Sequence, residues 1–187
     1  MHKLFTAIIV VFLLASLLTA CEQSTPEQHL QNAQQAMAEN NYSVAVIELK
    51  NAVRLAPDDA NSRFLLGKTY LELGLFEGAE KELERALEYN HPANEVVPLL
   101  SKIYQRTGED KALFKLTAKS KGLKPKELAR LKLYQVQAYV GNGQDEKAQS
   151  LIEELKQLKQ GAEFSQLAFV YELIMQQQLD GALLQLS

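Results

Sequence analysis

The chain of 187 residues has one cysteine, no tryptophan and three histidines. A single cysteine closes no internal disulfide and supplies no cysteine-cluster metal site. His2, His29 and His91 are scattered, and none stands with a nucleophile in a catalytic arrangement. An excess of positive charge is also missing. Twenty Lys and Arg face 23 Asp and Glu, for a formal net charge of −3. Phosphate contacts need a basic face, so nucleic acid is not expected as a partner. Gly141-Asn142-Gly143 lacks the Lys-Ser/Thr that would make it a phosphate loop. No cofactor and no catalytic residues are predicted, and the chain reads as a non-enzyme. With 47% apolar and 23% charged residues, it has the composition of a folded domain or one repeat array.

The one long uncharged run is at the start. His2 and Lys3 precede Leu4 to Leu18, which contain only Thr6 and Ser16 as polar residues. Fifteen helical residues span about 22 Å, short of the hydrocarbon core of about 30 Å. The run therefore fits a secretory signal better than a permanent membrane span. It closes with Leu18-Thr19-Ala20-Cys21, which resembles the lipobox of bacterial lipoprotein precursors. The resemblance implies cleavage after residue 20 and lipidation of Cys21, with the lipid bilayer as one partner. Glu22, rather than Asp, follows the cysteine, which points to the outer membrane facing the periplasm. Residues 1–20 are read as signal peptide and 21–26 as a lipidated tether.

The remainder, 27–187, repeats itself at a period of about 34 residues. The clearest unit holds Leu66-Gly67-x-x-Tyr70, Gly74, Ala79-x-x-x-Leu83-x-x-Ala86 and Pro92. One period earlier stand Ala33, Ala45, Leu49 and Ala52; one period later, Tyr104 and Gly108. A fourth unit carries Tyr139, Gly143, Ala148 and Ile152, and a fifth Ala182 and Leu186. This resembles the tetratricopeptide repeat and implies an all-α fold: a right-handed superhelical solenoid of antiparallel helix pairs. Units are expected near 26–59, 60–93, 94–128, 129–162 and 163–187, the last incomplete. Helices are predicted over 27–39, 42–55, 60–73, 76–89, 94–107, 110–120, 126–141, 145–159, 162–176 and 179–186.

Close packing explains the pattern. Gly67 and Ala79 lack bulk, so the helices of a hairpin approach closely, with Tyr70 and Leu83 filling the space beside the contact. Ala86, Ala148 and Ala182 are further small packing positions. Gly74 permits the turn, Pro57 and Pro92 stop second helices, and Pro98 is expected in a first helical turn. Asn61 and Asp110 are the expected N-caps. Arg63 stands where the family usually has Trp. The third unit is irregular, and the basic segment 119–126 predicts an altered connection.

The stretch from Ala45 to Tyr104 carries Val46-Ile47-Glu48-Leu49-Lys50-Asn51-Ala52, Arg63-Phe64-Leu65-Leu66-Gly67-Lys68, Ala79-Glu80-Lys81-Glu82-Leu83 and Val97-Pro98-Leu99-Leu100. It is similar to the N-terminal part of PEP-CTERM-system TPR-repeat lipoproteins of the PrsT type. That resemblance implies a non-enzymatic scaffold lipoprotein tied to exopolysaccharide export and protein sorting. Two alternatives remain open: an assembly factor for outer-membrane proteins or type IV pili, and an accessory of a cell-wall or polysaccharide enzyme. In each, other envelope proteins or peptides are the partners. The expected binding face is the concave one, with Gln34, Met37, Phe64, Lys68, Leu71, Lys102, Gln105, Gln137, Tyr171 and Ile174. Lys68 and Lys102, one period apart, are expected to stack and to attract acidic or carboxylate-bearing peptides.

Overall fold

The computed structural model describes residues 24–158 and 162–175. The signal segment, Cys21, Ala182 and the helix predicted over 179–186 lie outside these residues. Among the described residues the chain is all helical. The elements are α1 (Pro26–Ala38), α2 (Tyr42–Leu55), α3 (Ala60–Glu72), α4 (Phe76–Glu88), α5 (Ala93–Thr107), α6 (Asp110–Lys115), a 3₁₀ turn (Leu116–Lys119), α7 (Pro125–Gly141), α8 (Asp145–Gln157) and α9 (Ala162–Met175). No helix among them is long and apolar enough to cross a membrane.

Local chemistry sets the limits of the helices. Thr25 and Gln28 form a reciprocal capping box at α1, with Pro26 at the first helical position. The α3 cap is Asp59, whose carboxylate accepts from Ser62 N at 2.8 Å; the expected cap, Asn61, lies inside the helix. At α6 the cap position is Glu109, and Asp110 is already helical. Gly74, with φ +70°, makes the α3–α4 turn in a conformation that a side chain would strain. In the first hairpin the equivalent turn is made by Asn40 at φ 58°. The second helix α4 is ended by Asn90 at φ 67° rather than by Pro92, which is the N-cap residue of α5. Pro98 lies beyond the first turn, in the interior of α5. Its carbonyl accepts from Ser101 Oγ at 2.9 Å.

Consecutive helices pair as antiparallel hairpins, and each hairpin leans on the next: α2 packs on α3, α4 on α5, α5 on α7, and α9 on both α7 and α8. Among the described residues three apolar clusters run along the array. Ala33, Leu49 and Leu66 form the first. Ala79, Leu83, Ala86, Val96, Val97, Leu100 and Tyr104 belong to the second, and Ala129, Ala148, Ile152, Leu155 and Phe164 to the third. Ala79, Leu83, Ala86 and Ala148 are completely buried. A Cβ placed on Gly67 would sit 2.7 Å from Leu83 Cγ and 3.1 Å from the Ala79 carbonyl oxygen. Only glycine permits that approach. Tyr70 packs its ring on Gly78, where an added Cβ would meet it at 3.2 Å. Arg63 is held by polar bonds. It donates to Glu82 at 2.7 Å and to the Pro57 carbonyl at 2.6 Å, and stacks over the Tyr89 ring at 5.3 Å.

The third hairpin departs from the predicted continuous helix over 110–120. Its α6 stops at Lys115 and tightens into the 3₁₀ turn. One period after Gly67 and Ala79 stand Ser101 and Leu113, both buried. A leucine at the close approach needs more room than an alanine, so this hairpin cannot repeat the packing of the second. Buried Gln135 of α7 donates to the Leu113 carbonyl at 3.1 Å and to Thr117 Oγ1 at 2.9 Å, which pins the broken end. The next helix, α7, then opens at Pro125, ahead of residue 129.

Candidate functional site

In such an array the first helices of the hairpins share one layer. A cleft of about 360 Å³ opens in that layer between α3 and α5. It is lined by Lys68, Leu71 and Glu72 of α3, Gly74 and Phe76 of the turn into α4, and Leu99, Lys102, Ile103 and Arg106 of α5. Helical spacing builds it. Lys68, Leu71 and Glu72 are three and four residues apart on α3, and Leu99, Lys102, Ile103 and Arg106 on α5, so each set shares a face. Ile103 is buried and forms the floor. Lys68 and Lys102 are exposed and carry no ion pair among the described residues. The Arg106 guanidinium lies 5.0 Å from the centre of the Phe76 ring, which holds its stem in place while the charge stays in the cleft. Three cations thus face one carboxylate, Glu72, above an apolar floor.

Lys68, Leu71 and Lys102, all predicted for the binding face, come together here. Gln105 and Gln137 meet instead in an adjoining cleft of about 300 Å³ between α5 and α7, with Leu113, Tyr134, Asp110 and Asn142. There the Gln137 Oε1 atom is buried without a hydrogen-bond partner. Both clefts take part of their wall from α5. Gln34 is exposed on α1, outside both clefts. Phe64 does not line the groove: it is 9% exposed, belongs to the second core cluster and stacks on His91 at 4.1 Å. Its ring closes the junction between hairpins because α5 begins there and brings apolar Val96 and Val97 against it. Met37 and Tyr171 are half-buried and pack on the first and third clusters, while Ile174 is 39% exposed. Arg106 and Phe76 were not foreseen. Arg106 had a readable signal: it follows Lys102 by one helical turn and stands one period after Glu72.

The site has few perturbed titrating groups. Among the described residues the clear shifts, at Glu80, Tyr104, Lys156 and Glu172, lie outside the cleft. Burial, together with donation to Glu84 at 2.9 Å, pushes the Tyr104 hydroxyl far up and keeps it protonated. Glu80 is raised, first by burial and then by the nearby Glu109 charge. The cleft is charged at its rim and apolar at its floor.

Known proteins place this geometry. Residues 36–103 match the tetratricopeptide repeat. A crystal structure of MamA superposes with a TM-score of 0.71 at 17% identity, covering 86% of this chain and 87% of that one. MamA from Desulfovibrio magneticus RS-1 gives 0.70 at 16%, covering 89% and 93%. YrrB, described as "a TPR protein with an unusual peptide-binding site", gives 0.66 at 17%, covering 85% and 81%. No curated protein sequence matches the chain. Identities this low establish the fold alone. The fold is generally a non-catalytic scaffold suited to holding peptides or other proteins. The chain is a solenoid with the tetratricopeptide-repeat fold, carrying that family's repeat over residues 36–103.

Proposed function

We propose that the chain is a lipid-anchored scaffold that docks acidic segments of other envelope proteins in the α3–α5 cleft. The observation that carries the reading is the convergence of Lys68, Lys102 and Arg106 over Leu71, Leu99 and Ile103. Charge attracts an acidic segment, and the apolar floor takes a neighbouring side chain. The peptide-binding site ascribed to YrrB supports a peptide as the form of the ligand. The lipobox at Leu18 to Cys21 supports acylation of Cys21 and attachment to the outer membrane facing the periplasm. The PrsT-type resemblance between Ala45 and Tyr104 supports a tie to exopolysaccharide export and PEP-CTERM sorting.

The test is a pull-down from periplasmic extract with the wild-type chain and with the double substitution Lys68→Glu, Lys102→Glu. Both side chains are exposed, so the fold tolerates the change. Partners held by the wild type are expected to be lost from the variant and to wash off the wild type as salt rises. Retention of every partner by the variant removes the two lysines as the binding site.

A further inference from the structure

Helix α2 has two apolar faces. Ala45, Leu49 and Ala52 are completely buried against α1 and α3. On the opposite side, Val44, Ile47 and Leu55 are 41%, 59% and 41% exposed. Spacings of three and four residues through Asn51 put these three in one stripe. Arg54 and Lys50 run along one edge of the stripe; both are exposed and carry no ion pair among the described residues, Lys50 resting its ammonium 6.0 Å from the centre of the Tyr70 ring of α3. On the other edge Glu48 is engaged by His29 Nδ1 at 2.5 Å. The outer surface of α2 is therefore apolar along its middle and positive along one side.

The path of the chain says what covers it. Because α1 and α2 are antiparallel, Pro26 at the start of α1 lies beside the end of α2 that carries Arg54 and Leu55. The five residues from Cys21 to Pro26 reach at most about 18 Å. An acyl group on Cys21 thus holds the α2 end of the array within one short tether of the headgroups. We infer that α2 lies on the bilayer surface, with Val44, Ile47 and Leu55 in the headgroup boundary and Lys50 and Arg54 against anionic lipid phosphates. The inference rests on the anchor at Cys21 proposed above. Apolar residues of an amphipathic helix enter the boundary while flanking cations meet anionic lipid. The groove belongs to the layer of first helices and α2 to the layer of second helices, so this seating turns the α3–α5 cleft toward soluble partners.

The experiment uses the full-length chain, expressed in a host that acylates lipoproteins and reconstituted into phosphatidylethanolamine–phosphatidylglycerol vesicles that contain a nitroxide-bearing lipid. Acylation consumes the one natural thiol, so Ile47→Cys provides a single site for an environment-sensitive fluorophore. Lys81→Cys, on the exposed surface of α4, is the control. Emission from position 47 is expected to fall at least twofold with the nitroxide lipid while position 81 is unchanged. Adding Lys50→Glu and Arg54→Glu is expected to relieve the quenching at 47. Equal behaviour at 47 and 81 in an acylated chain overturns the seating of α2 and leaves the anchor standing. An intact mass without acyl chains overturns the anchor and the seating together. Shielding of position 47 that depends on protein concentration without vesicles, in an unacylated Cys21→Ser chain, overturns the inference in favour of a contact between two copies.

Discussion

Gly67 allows a test of the close approach that builds the second hairpin. A methyl group there would lie 2.7 Å from Leu83 Cγ, 3.1 Å from Leu83 Cδ2 and 3.1 Å from the Ala79 carbonyl oxygen. Two effects of opposite sign compete in Gly67→Ala. Removing a helix-interior glycine favours the helix by about 0.8–1 kcal/mol. Overpacking a fully buried contact costs about 1–3 kcal/mol. The neighbours are the buried stem of Leu83 and a backbone oxygen, neither of which moves cheaply, so packing wins and the net loss is about 1 kcal/mol. The sign should reverse once Leu83 is cut back. Leu83→Ala alone costs about 2–5 kcal/mol, but it removes two of the three clashing atoms. In that background Gly67→Ala is expected to be neutral or stabilising, with a coupling between the sites of about 1–3 kcal/mol. Urea unfolding of the four chains without residues 1–21, followed by far-UV circular dichroism in a fixed concentration of sucrose that keeps all four folded, measures it. Additive effects at the two sites, or a Gly67→Ala chain more stable than the wild type, would refute the reasoning.

Two further expectations concern other joints. Leu75 occupies the N-cap position of α4 with no side-chain cap hydrogen bond and is 50% exposed; Leu75→Ser is expected to raise stability by about 1 kcal/mol, read as a higher urea midpoint at unchanged slope. Between α8 and α9, Lys156 Nζ meets Glu172 Oε2 at 2.7 Å, and Gln149 donates to the same carboxylate at 3.1 Å. The Lys156 hydrogen bond holds the Glu172 carboxyl below its ordinary value of 4.5. A carboxyl lowered in the folded state contributes stability above its unfolded value, and that contribution is lost as pH falls through the folded one. Glu172→Gln is therefore expected to flatten the fall in melting temperature between about pH 5 and pH 3, the underlying stability difference being no more than about 1 kcal/mol because Lys156 is a third exposed. Glu80, raised by burial, acts in the opposite direction and is common to both chains, so the difference isolates Glu172. Identical acid limbs for the two chains would remove the ion pair as a contributor.

Much of the fold was legible because the repeat encodes its own packing. Gly67, Ala79 and Leu83 stand at fixed offsets for a steric reason, and the structure brings the three together at the close approach of α3 and α4, with Ala86 buried in the same cluster as Val96 and Val97 of the next helix. Caps and stops were less legible. Asp59 lies just outside the α3 start that Asn61 was expected to mark. Asn40 and Asn90 take up the left-handed conformation that the pattern assigned to glycine or to a following proline. These depend on one or two dihedral angles, and several residue types satisfy them. The break in α6 was readable only as irregular spacing, because the bond that pins its end comes from Gln135 on the next hairpin.

The groove shows where a periodic argument succeeds and where it fails. Lys68 and Lys102 were placed together by period alone, since equal offsets on successive first helices give stacked positions. The same rule places Glu72 beneath Arg106, and their presence in one cleft with the two lysines follows without further information. Phe64 obeys the period equally well, yet it is buried. Its neighbours on α3, Leu66 and Gly67, set the inward face, and the start of α5 brings Val96 and Val97 against the same edge. An aromatic side chain at that junction removes far more apolar surface from water by closing it than by standing in the groove. Charge is the better guide to an open face, because burying an unpaired lysine is costly where burying a phenylalanine is favourable. The exposed cations of α3 and α5 therefore locate the groove, and the aromatic residues between them locate the joints.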